Sequence, residues 1–82
     1  GGQPAPLIDV LHRSALLWSQ GDRAGLAEFL TRTGHAQDES LWTVAQALSE
    51  ILPEGDKEKQ MVQGLLGSKE RVMAEARQRR LL

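Results

Sequence analysis

Apolar residues recur at intervals of three and four along almost the whole chain, and glycine, proline or aspartate cuts the pattern repeatedly. That spacing lines one side of a 3.6-residue helix, whereas a half-buried strand needs strict alternation. Composition points the same way. Leu and Ala dominate, β-branched residues are sparse, and Trp18, Phe29 and Trp42 are the aromatic residues. Such a composition favours helix over strand. With 82 residues, the chain is one small domain. The expectation is therefore an all-α fold, a compact bundle of four to five helices with short antiparallel connections.

The punctuation predicts where each helix starts and stops. Pro6 suits a first helical position, where its missing N–H costs nothing. Leu7, Val10, Leu11, Ser14, Ala15, Leu17 and Trp18 then share one face, with Asp9 and Arg13 opposite. Gly21 closes this helix and Asp22 caps the second. Leu26, Ala27, Phe29 and Leu30 form the inner stripe of the second helix, and Gly34 ends it. Gly25 lowers its helicity and points to close packing. Asp38 or Ser40 caps the third helix, which turns Leu41, Val44, Ala45, Leu48, Ile51 and Leu52 inward and stops at Pro53. Asp56 caps the fourth, with Met61, Val62, Leu65 and Leu66 inward. Val72, Met73 and Ala76 continue that arc beyond Gly67-Ser68, which favours one long, bent helix over two. Residues 1–5 read as linker or cloning remnant, 6–78 as a single helical domain, and 79–82 as a frayed end.

Several function classes are excluded or disfavoured. A cofactor-binding α/β domain needs more chain, because each βαβ unit takes about 30 residues. Cysteine is absent, so there is no disulfide framework, thiolate metal site or cysteine nucleophile, which fits a cytoplasmic protein. No apolar run approaches the ~20 residues of a membrane span, and residues 1–6 lack the marks of a signal peptide. His12 sits at the edge of an apolar face and His35 follows Gly34, neither with a second ligand at i+4 spacing. A zinc site needs three or four ligands, so no metal is expected. Ser14, Ser19, Ser40, Ser49 and Ser68 read as helix-face or capping residues, since a nucleophile needs an oriented base. No catalytic residue and no cofactor is assigned.

Two surfaces remain. Ile8, Leu16, Trp42 and Leu66 lie at the margins of the apolar faces and are the candidate protein-docking residues. Trp18 reads as core, and Trp42, displaced toward Ser49, as core with part of its ring outward. The second surface is electrostatic. The overall charge is −1, but residues 1–68 carry five basic groups against nine acidic ones. Residues 69–82 carry Lys69, Arg71, Arg77, Arg79 and Arg80 against Glu70 and Glu75. These five cations are candidate phosphate contacts; they equally suit a helix C-terminus facing its macrodipole. A helix-turn-helix is disfavoured, because the third helix carries Asp38, Glu39 and Glu50 and no Lys or Arg for base edges.

The run Pro6-Leu7-Ile8-Asp9-Val10-Leu11-His12-Arg13, followed by Leu17-Trp18 and Gly21-Asp22, resembles a known family. So do Ala45-Gln46-Ala47-Leu48-Ser49-Glu50 and Leu52-Pro53-Glu54-Gly55-Asp56-Lys57-Glu58-Lys59. Together they are similar to the extreme C-terminal region of large bacterial and archaeal adenine-specific DNA methyltransferases that contain a zinc ribbon. The likeness runs from Pro6 to about Leu66. The family's Asp-Pro-Pro-type motif and zinc-ribbon cysteines lie far upstream and have no counterpart here, so no site residue carries over. The resemblance implies a non-catalytic accessory domain of a DNA-modifying enzyme from a prokaryotic restriction or defence setting. Its expected partner is the upstream methyltransferase region or a partner subunit, with auxiliary DNA-backbone binding through residues 69–80 as the alternative. A homodimer is a further way to bury leftover apolar surface, and no membrane partner is expected.

Overall fold

In the computed structural model, Leu7–Ser19 form α1, Arg23–Thr33 α2, Glu39–Ile51 α3, Lys57–Gly67 α4 and Lys69–Leu81 α5. The structure describes residues 6–35 and 39–81, apart from the side chains of Arg80 and Leu81. The fold is all-α, with no strand among the described residues.

Most helix ends lie where the punctuation predicts. Gly21 and Gly34 adopt left-handed φ values of 75° and 81°, which cost glycine little and other residues much. Beyond each, an N–H reaches back five residues: Asp22 donates to Leu17 (3.1 Å) and His35 to Leu30 (3.0 Å). This closure satisfies carbonyls that the helix end would leave orphaned. The Asp22 carboxylate accepts the Gly25 N–H at 2.9 Å, and Asp56 accepts that of Glu58 at 2.8 Å. Gly25 does mark a close approach, since a Cβ there would run into the capping Asp22 carboxylate. Two details differ. Pro6 is extended (ψ 144°) and caps α1 from outside, and Ser40 lies within α3 rather than at its cap. Asp38, residues 1–5 and Leu82 lie outside the described residues.

The core is one cluster to which every helix contributes. α1 is the hub: it packs on α4 most extensively, then on α2 and α3. α3 also packs on α4, while α5 lies on α2. Leu11, Leu26, Leu30, Leu41 and Leu65 are fully buried. Ala15, Ala27, Ala45 and Ala76 are buried as well, as are Ser14 and Ser49. The two serine hydroxyls donate to Val10 and Gln46 carbonyls at 2.7 Å, so their burial leaves no donor unmet. The Trp18 ring lies against the backbone of Gly64, where a Cβ would overlap it. Its indole N–H donates to Ser68 Oγ at 3.0 Å.

Two expectations are corrected. The chain does not continue as one bent helix through Gly67. Ser68 leaves helical geometry (φ −103°, ψ 8°), and its N–H bonds Leu65 only three residues back at 3.0 Å. α5 then covers α2 instead of prolonging the α4 contacts. Val72, Met73 and Ala76 do turn inward, but against a different helix. The second correction concerns α3. Ile51, expected inside, is 77% exposed, and the buried residues are Leu41, Trp42, Ala45 and Ser49. The helix turns its widest ring into the core. A buried Trp removes some 150–250 Å² from water, more than an isoleucine at the helix end offers.

Candidate functional site

The four docking candidates do not form one surface. Ile8 and Leu16 on α1 are 47% and 36% exposed. Trp42, by contrast, is 3% exposed and belongs to the core, which corrects its place among the docking residues. Leu66 is half-buried and packs against that core. The exposed apolar residue that sequence reasoning missed is Ile51, because Leu48 and Leu52 beside it suggested a shared inward face.

Trp42 floors an open groove between α3 and the α4–α5 junction, lined also by Glu39, Gln46, Glu50, Leu66 and Lys69. The Lys69 ammonium lies 5.9 Å from the ring centroid and 3.1 Å from the Glu39 carboxylate. Lys69 is therefore engaged by its own chain through an ion pair and a cation–π contact. The Trp42 indole N–H is buried without a hydrogen-bond partner among the described residues.

The remaining cations divide between two sides of α5. Arg71 faces a notch of about 30 Å³ lined by Trp18, Arg23, Ser68, Val72 and Glu75. Arg79 borders an adjoining depression with Arg23, Ala24, Glu75 and Gln78. Arg77 is exposed and, at 100° per residue, projects away from that side. The Arg80 side chain lies outside the described residues. Thus Lys69, Arg71, Arg77 and Arg79 do not converge on one place, but Arg71 and Arg79 gain Arg23 from the first turn of α2. Arg23 escaped the sequence reading because it lies in residues 1–68, where acidic groups outnumber basic ones. Among the described residues, neither it, Arg71 nor Arg79 has an ion-pair partner.

Other polar side chains serve the architecture. His12 Nδ1 and the Glu58 carboxylate lie 2.9 Å apart, which joins α1 to the first turn of α4. Lys59 is buried and donates to Glu54 at 2.6 Å, holding the first turn of α4 to the preceding loop. The hydroxyls of Ser19, Thr31, Thr33 and Thr43 donate to carbonyls of their own helices. Among the described residues, no three His, Cys, Asp or Glu side chains are grouped to hold a metal ion, and no helix is long and apolar enough to cross a membrane. Compared with protein families, curated proteins and solved structures, the chain matches none.

Proposed function

We propose that this chain is a non-catalytic accessory domain at the C-terminus of a DNA methyltransferase-like protein of a prokaryotic restriction or defence system. It acts in the cytoplasm by docking onto the upstream enzyme region or a partner subunit. The observation that carries the docking role is the outward apolar pair on α1, Ile8 and Leu16. Both sit on the helix whose PLIDVLHR segment bears the resemblance. The same helix is the hub of the bundle, so a partner seated on its outer side is held by the most constrained element. The non-catalytic role is supported by what the polar groups already do: their hydroxyls and carboxylates cap helices, close turns and satisfy buried donors.

Co-elution tests the reading. The domain and the upstream methyltransferase region, produced separately, are expected to co-elute on gel filtration. Ile8→Asp with Leu16→Asp is expected to abolish this while leaving the circular dichroism unchanged, because both side chains are already in contact with water. Separate elution of the unmutated pair overturns the proposal. Elution of the domain as a stable dimer that the double variant dissociates overturns it too, and assigns the surface to a second copy of this chain.

A further inference from the structure

We infer that the seam between α2 and α5 is a contact surface for a double-stranded nucleic-acid backbone, built by Arg23, Arg71 and Arg79. The inference is independent of the docking role and uses a different side of the molecule. Arg23 borders both the notch that holds Arg71 and the depression that holds Arg79, so it bridges the two α5 arginines. Eight residues separate Arg71 from Arg79, about 12 Å along the helix axis. Among the described residues, none of the three is neutralised by an ion pair. Guanidinium groups free to form two parallel hydrogen bonds suit phosphate oxygens.

The site favours an extended ligand over a small one. Glu75 lies between the arginines and borders both depressions. A single phosphate placed centrally would meet that carboxylate. A chain of spaced phosphates meets the cations on either side and passes over it. The notch, about 30 Å³, has room for little more than a water, and the adjoining depression beside Arg79 is open rather than enclosing. A single strand would also want an exposed aromatic face for stacking. The Trp18 ring in this notch instead packs on Gly64, with its N–H bound to Ser68. Phosphate contact without base readout remains, so the surface adds sequence-independent affinity. Lys69 is outside this surface, held by Glu39 over Trp42, and Arg77 projects from another side.

Fluorescence anisotropy of a short labelled DNA duplex, titrated with the whole chain from low salt to about 150 mM, tests the assignment. With three phosphates neutralised, the slope of log K against log salt is expected near −2.7. Arg23→Gln, Arg71→Gln and Arg79→Gln are each expected to weaken low-salt binding several-fold and to make the slope shallower by about 0.9. Arg77→Gln should change affinity less than about twofold, and Glu75→Gln should tighten binding. All five positions are on the surface or its shallow depressions, and amide spectra check that each variant stays folded. The inference is overturned by absence of binding at low salt, or by an Arg77→Gln loss equal to that of Arg23→Gln, which would mean diffuse attraction. A polyglutamate peptide that displaces the duplex at equal charge concentration also overturns it, since the seam would then be an acidic-peptide site.

Discussion

At Gly64 the absent side chain decides the packing. An added Cβ would overlap the Trp18 ring, and overpacking of this severity costs about 3 kcal/mol. The gain in helix propensity returns about 1 kcal/mol. Gly64→Ala is therefore expected to lower unfolding free energy by about 2 kcal/mol, read from urea denaturation. That is a large share of the about 4–12 kcal/mol typical of a domain this size. Gly67 is the internal control: a Cβ there meets nothing, so Gly67→Ala should be neutral or mildly stabilising. The two tryptophans make a second contrast. Trp18 donates to Ser68, whereas the more deeply buried Trp42 leaves its N–H unmet. An unmet buried donor costs about 1–3 kcal/mol. Trp42→Phe is accordingly expected to lower the melting temperature less than Trp18→Phe, despite greater burial; the opposite order in calorimetry would mean that the Trp42 donor is satisfied in solution.

For single helices, the start of α2 shows how two residues share one function. Asp22 caps the helix by accepting the Gly25 N–H, and Gly25 leaves the space that the carboxylate occupies. Asp22→Ala is expected to cost about 1 kcal/mol. Gly25→Ala alone should be nearly neutral, because it displaces the cap while gaining about 1 kcal/mol of propensity. In the Asp22→Ala background the same change should stabilise by about that amount. A double-mutant cycle in urea then gives a coupling near 1 kcal/mol; a coupling of zero would mean that the cap survives the added methyl. This pairing was half legible. The aspartate and glycine spacing marked a cap and a close approach, but not that each explains the other. α3 was less legible, because its apolar residues cover too wide an arc to define one inward direction. Ile51 and Trp42 lie on opposite margins of that arc, and packing on α4 and α1 turned Trp42 in and Ile51 out.

Across the whole molecule, α5 is the element on which completeness depends. It is largely polar, yet Val72 and Ala76 join the core and the helix covers α2. Removing it strips Val72 and Met73 and bares the side of α2 that carries Leu26 and Ala27. At about 1.5–3 kcal/mol per large apolar side chain, that loss rivals the entire stability of so small a domain. Residues 1–68 alone are expected to lose cooperative thermal unfolding and to bind a hydrophobic dye. A truncated chain that still melts in one sharp transition would mean that α1–α4 form a sufficient core. The radius of gyration, 12.2 Å, matches the about 12 Å expected for one globule of this length, so the short connections and five helices close on a single centre.

The local features were legible in the residues alone: all-α class, the ends at Gly21, Gly34 and Pro53, the caps at Asp22 and Asp56, and the inward residues of α1, α2 and α4. Each rests on a short-range cause, such as a left-handed φ, a carboxylate two or three residues before an N–H, or a 3.6-residue period. Choices that are degenerate at short range were made by helix packing. Continuing or breaking a helix at Gly67-Ser68 differs little locally, and docking on α2, with Trp18 bound to Ser68, selected the break. The docking and phosphate candidates were chosen by position along a face or a charge run. Only the packing withdrew Trp42 into the core, tied Lys69 to Glu39, and set Arg23 beside Arg71 and Arg79. Residues nearly fifty positions apart meet through helix docking, and no local period encodes which helix docks on which.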